Sequence, residues 1–218
     1  MTDDSIIDAA VAALREGGVA LEPGLDQMEF RAIEERLSIQ FSPDHRALLS
    51  RVLPIGDGFP NWRNGTYADL RRRLDWPFDG VRWDVEYNGF WPRSWGRYPL
   101  MKTSRSRAVD RNLAAVPQLI PVFGHRFLPA GNAPSGVPVL SVMQTDVVVY
   151  GWNLLDYLRR ELGLSRPAPP QRLVVIPFWG ELALGEPFFT RKGTRFRNLS
   201  IEGTTLLPPG VEYRTERR

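Results

Sequence analysis

Two carboxylates, Asp84 and Glu86, stand one residue apart in Val81-Arg82-Trp83-Asp84-Val85-Glu86-Tyr87. Apolar and polar residues alternate here, so as a strand the stretch would set both acids on one face, with Arg82 beside them. Paired acids suit a divalent cation or general acid–base work. With no histidine or further carboxylate close in sequence, ion pairing to Arg82 or Arg97 is the plainer role. Histidine occurs only as His45 and His125. A Ser-His-Asp triad would have to draw His125, Ser141 and Asp146 from separate strands, without the strand-to-helix elbow such a nucleophile needs. A half-buried histidine bonded to a backbone carbonyl explains His125 more simply. There are no cysteines, which removes disulfides, thiolate nucleophiles and cysteine-based zinc sites. The expectation is a protein with no catalytic residues, no metal site and no cofactor.

Recognition fits the residues better than catalysis. After Asn88-Gly89, the segment Phe90-Trp91-Pro92-Arg93-Ser94-Trp95-Gly96-Arg97-Tyr98-Pro99 is too rich in rings and helix breakers for a regular element and reads as an ordered loop. Trp62, Trp91 and Trp95 either anchor a partner or close the core beneath that loop. In the first case Asp84 and Glu86 accept from a partner's basic groups, and Arg93 and Arg97 donate to its acidic ones. Arginines interleaved with aromatic rings also suit single-stranded nucleic acid. The acids in the same stretch, and the lack of any helix-turn-helix, zinc or RNP-like signature, make nucleic acid the weaker reading. The net charge of +3 comes almost wholly from arginine, since lysine occurs only at Lys102 and Lys192. Arginine pairs with carboxylates as readily as with phosphates, so charge alone does not choose the partner.

Several elements must position these residues. Ser5 caps a helix carrying Ile6, Ile7, Ala10, Val11 and Leu14, stopped by Gly17-Gly18. A second helix spans 26–37, and Ser42-Pro43-Asp44 opens a third. Thr66 and Asp69 cap a short helix to Leu74 with Arg71-Arg72-Arg73 on its outer side, and 76–80 turns into the strand 81–87. A helix fits 104–115, and strands fit 119–128, 137–150 and 173–178, the second folded into a hairpin at Gln144-Thr145-Asp146. An amphipathic helix covers 152–162. Helices and strands alternate irregularly, so the fold class is α+β with a mostly antiparallel sheet, N-terminal helices and a helix between the later strands. The length suits one domain over 1–185 followed by a basic C-terminal extension over 186–218. No apolar run approaches a membrane span, and the acidic start does not read as a secretory signal, so a cytoplasmic protein is expected, with no membrane partner.

Over 25–182 the chain resembles the SUKH superfamily, the SMI/KNR family. The resemblance rests on an ordered series of motifs: Phe41-Ser42-Pro43-Asp44-His45-Arg46, Gly58-Phe59-Pro60-Asn61-Trp62, Trp83-Asp84-Val85-Glu86, Trp91 to Pro99, His125-Arg126, Pro138-Val139-Leu140-Ser141, Asp146, Tyr150-Gly151 and Ile176-Pro177-Phe178-Trp179. It implies a non-catalytic binding module: a bacterial immunity protein that binds and neutralises a polymorphic toxin, or a scaffold like the yeast regulators of the family. It also implies that His125-Arg126 lies near the aromatic loop, where Arg126 would stack on Trp91 or Trp95 or hold Asp84. Two departures stand out. Tryptophan occupies position 83 where the family often has phenylalanine, and the sequence pI of about 9.5 does not suit an inhibitor that mimics nucleic acid.

Overall fold

The computed structural model of the protein describes residues 4–170, 172–184, 189–190 and 205–207. Helix α1 (Asp4–Glu16) buries Ile7, Ala10, Val11 and Leu14 on one stripe and stops where Gly18 takes a positive φ of 70°. Strand β1 (Leu21–Pro23) leads to α2 (Gln27–Leu37), which begins on a reciprocal capping box. The Asp26 carboxylate accepts from the Met28 and Glu29 amides, while Glu29 accepts from the Asp26 N–H. Helix α3 (Pro43–Arg51) starts with proline in its first turn, but the Ser42 hydroxyl makes no capping bond. Strand β2 (Val52–Pro54) then pairs antiparallel with β1.

The strand expected over 81–87 is instead helical. Helix α4 (Tyr67–Trp83) runs through Pro77, past the expected end at Leu74 and the expected turn at 76–80, and continues as one π-helical turn, Asp84–Asn88. Leu70, Leu74, Pro77, Val81 and Val85 are buried at steps of four and three, the spacing of one helical face. The alternation that reads as a strand contains two spacings of four, which turn Val81 and Val85 inward and Trp83 and Tyr87 outward. The turn ends at Gly89 in the left-handed region, φ 67°.

Beyond it come β3 (Phe90–Trp91), a single 3-10 turn over Arg93–Trp95, and α5 (Lys102–Leu113). Strands β4 (Leu119–Phe123), β5 (Arg126–Pro129), β6 (Val139–Met143) and β7 (Asp146–Gly151) form an antiparallel meander in chain order. The run 119–128, expected as one strand, thus folds back at Gly124-His125, where Gly124 takes a positive φ. The hairpin turn falls at Gln144-Thr145, as the sequence indicates. Asn153 caps α6 (Leu154–Glu161), followed by β8 (Arg172–Val174) and α7 (Trp179–Ala183).

The fold is α+β. Of the basic segment 186–218, two strands are described: β9 (Phe189–Thr190) pairs antiparallel with β3, and β10 (Thr205–Leu207) pairs parallel with β8. The rest of that segment lies outside the described residues. Apolar side chains gather in three clusters that meet on β4, where Leu119 joins the cluster of α5 and α7, Ile120 that of α2, and Val122 that of α1 and α6.

Candidate functional site

The rings chosen from sequence as partner anchors are largely interior. Trp62 is buried, edge-on to Phe41 at 5.0 Å and to His45 at 6.3 Å. Trp91 is also buried, its indole N–H donating to the Gly96 carbonyl at 2.9 Å and its ring edge-on to Trp95 and Tyr98, each at 5.3 Å. Trp95 is half-buried and stacks on Phe178 at 5.8 Å. The stretch 90–99 carries the short strand β3 and a 3-10 turn where no regular element was expected, and its rings close the core in one cluster with Phe178 and Trp179, which arrive from far along the chain. Trp62 and Trp91 therefore cannot act as exposed anchors.

The charged candidates are mostly committed to internal partners. Asp84 is 4% exposed and accepts from the Thr145 amide at 2.9 Å, the Thr145 hydroxyl at 2.5 Å and the Asn88 side-chain amide at 2.5 Å. It latches the π-helical turn to the β6–β7 hairpin and has no open position for a partner's basic group. Glu86 takes Lys102 at 2.7 Å and Arg105 at 3.3 Å, pairings that hold its carboxyl below the usual range and raise the Lys102 ammonium. Asp84 and Glu86 thus point to different neighbours and form no shared acid pair. Arg126 lies 3.8 Å over the Tyr150 ring, donates to the Ser141 hydroxyl at 3.1 Å and faces Glu161 at 3.4 Å. It engages these groups rather than Trp91, Trp95 or Asp84. Arg93 and Arg97 remain exposed.

What the fold does present is a strip of α4 that sequence reading passed over. Trp76, Gly80, Trp83 and Tyr87 recur at helical spacing, and the three rings are 45%, 51% and 62% exposed. Trp83 and Tyr87 lie against each other at 4.2 Å between ring centroids. One flank of the strip is α5, tied on by Arg82 to Asp110 at 3.1 Å and by Glu86 to Lys102. The other flank is the β6–β7 hairpin, tied on through Asp84 to Thr145, through the Trp76 indole N–H to the Val142 carbonyl at 3.1 Å, and through Gly80, against which Gln144 backbone packs. Leu100 and Met101, 83% and 69% exposed, enter α5 next to Lys102, whose ammonium feels the Tyr87 phenol. Met143 adds an exposed thioether at the hairpin end. Solitary exposed apolar residues need no explanation, but a run of this kind between two fixed shoulders marks an interaction surface. The i, i+4, i+7, i+11 spacing of Trp76, Gly80, Trp83 and Tyr87 was the signal available in the sequence, hidden by the competing period of two.

The three residues of the candidate triad do not come together. Ser141 is bonded by Arg126, not by His125, and Asp146 opens β7 on the exposed hairpin end opposite Met143. Burial, and then the Arg126 charge, lower the His125 pKa. Among the described residues no three His, Cys, Asp or Glu side chains converge as metal ligands would, and no helix is long and apolar enough to cross a membrane. No family model, curated protein or solved structure matches the chain.

Proposed function

We propose that the protein is a non-catalytic protein-binding module, an immunity-type member of the SUKH superfamily that binds and neutralises a toxin in the bacterial cytoplasm, with the α4 strip as its docking surface. The observation that carries the reading is the set of exposed rings Trp76, Trp83 and Tyr87 held between α5 and the β6–β7 hairpin. Tryptophan and tyrosine dominate interface energetics because each buries a large rigid surface at small entropic cost. Both shoulders are fixed by ion pairs and hydrogen bonds, so the strip is organised before any partner arrives. The ordered motif series over 25–182 supports the family reading.

The test is affinity capture from the source cell with wild-type protein and with a Trp83→Ser/Tyr87→Ser variant, followed by titration of the recovered partner. Both side chains are more than half exposed, so the variant folds. Loss of two such anchors weakens binding by about 30-fold or more, the consequence of removing about 2 kcal/mol at an interface hot spot. A partner that binds both proteins equally would place the docking surface elsewhere.

A further inference from the structure

The carboxylates along the α5 flank already have partners, Asp84 in the interior and Glu86, Asp79 and Asp110 at the surface; Asp146 stands exposed at the hairpin end, and the unpaired charges on the α5 side are cationic. Between Phe90 and Leu113 the sequence carries Arg93, Arg97, Lys102, Arg105, Arg107 and Arg111 against a single acid, Asp110. Asp110 is held by Arg82, which also bonds Asp79. Glu86 is shared by Lys102 and Arg105, and Asp84 is buried on Thr145. Arg97, Arg107 and Arg111 are exposed and form no ion pair or hydrogen bond among the described residues. Arg107 and Arg111 stand four apart on the outer face of α5, where like charges repel rather than support the helix. The opposite imbalance sits at the other end of the chain, where residues 1–50 carry ten acids against four arginines. The modest net charge of +3 therefore conceals a molecule with a basic face beside its aromatic strip.

We infer that the strip takes an acidic amphipathic segment of a partner protein, whose apolar side chains cover Trp83, Tyr87, Leu100 and Met101 while its carboxylates meet Arg97, Arg107 and Arg111. This rests on the docking reading above and adds the chemistry of the occupant. Protein is favoured over nucleic acid by two features. Trp83 and Tyr87 are closed on each other at 4.2 Å, leaving no gap for a base between them. Leu100 and Met101 offer aliphatic surface that apolar side chains fill and stacked bases do not require. Arginine forks then bind carboxylates bidentately, which gives the complex orientation as well as attraction.

The experiment is selection of displayed random peptides, each about 16 residues long, enough for four helical turns, on three full-length proteins: wild type, Trp83→Ser/Tyr87→Ser, and Arg97→Glu/Arg107→Glu/Arg111→Glu. All the substituted side chains are exposed, and circular dichroism verifies the folds. Wild type is expected to return peptides of net negative charge containing Leu, Phe or Trp. Their affinity falls about tenfold or more on either variant and declines as salt rises from about 0.05 to about 0.5 M. The charge-reversed protein is expected to return basic or neutral peptides instead. Neutral or basic peptides recovered on wild type, still dependent on Trp83 and Tyr87, would overturn the acidic occupant and leave the docking surface standing. Peptides indifferent to Trp83 and Tyr87, or no binders at all, would overturn both readings. An oligothymidylate that outcompetes the peptides and needs the same residues would replace the acidic protein with single-stranded nucleic acid.

Discussion

His45 shows how completely a residue of chemical promise can be taken up by packing. Its ring is enclosed at the start of α3, edge-on to Phe41 at 5.3 Å and near Trp62. Burial lowers its pKa to about 3, whereas in an unfolded chain histidine titrates near 6.5. The unfolded chain therefore takes up this proton first as the pH falls. Stability is full above about pH 6.5 and declines as acid is added, until the folded form also protonates near pH 3. Between about pH 7 and pH 5 this one group removes about 2 kcal/mol. Glu29 and Glu86, whose pKa values are lowered by Arg63 and by Lys102, act only at and below the ordinary carboxylate range, while His125, also lowered by burial, acts in the same direction in this window and cancels when wild type is compared with a His45 variant. Urea unfolding of wild type and His45→Leu at the two pH values isolates the effect. The wild type loses about 2 kcal/mol more than the variant, and equal losses would mean that His45 is protonated inside the fold.

At the scale of elements, α4 is decided by its contacts rather than by its local pattern. The capping box at Asp26, the proline opening α3 and the turn at Gln144-Thr145 are legible in the sequence because each is settled by residues within one turn of itself. The stretch 81–87 fits periods of two and four equally, so the tie is broken by tertiary contacts: Val81 and Val85 enter the core while Asp84 locks onto Thr145. Exposure of the rings was illegible for a related reason, since Trp91 and Trp95 pack in one cluster with Phe178 and Trp179, more than eighty residues away. The docking of α4 on the hairpin is testable at Gly80. Glycine to alanine inside a helix ordinarily gains about 1 kcal/mol. Here a Cβ would meet the Gln144 Cα at 2.6 Å, a backbone contact that cannot rotate away. Gly80→Ala is therefore expected to lower stability, reversing the usual sign. Asp84→Ala, which strands the Thr145 amide, costs about 2 to 3 kcal/mol. Thermal melts give both answers. A Gly80→Ala protein more stable than wild type would show that hairpin and helix are not tightly seated.

Over the whole molecule, the strip is only as firm as the cooperation among the three apolar clusters. Strand β4 contributes Leu119, Ile120 and Val122 to all three, so a loosened cluster should be felt by the others. The tryptophans report this unevenly: Trp91 and Trp179 lie in one cluster and Trp62 in another, while the cluster of α1 and α6 contains none. Leu14 is fully buried in that third cluster with Leu154, Tyr157 and Leu158, and Gly17 at the end of α1 packs closely on Leu162. Removing its side chain leaves a cavity that costs about 2 to 5 kcal/mol. If the molecule unfolds as one unit, Leu14→Ala moves the midpoint seen by tryptophan fluorescence as far as that seen by far-ultraviolet circular dichroism, although no core tryptophan lies in the damaged cluster. A fluorescence midpoint left at the wild-type value, with the circular dichroism split into two steps, would make α1 and α6 a separate unit. The α4 strip would then be stabilised by the other two clusters alone, and Leu14→Ala would leave peptide affinity at the strip unchanged.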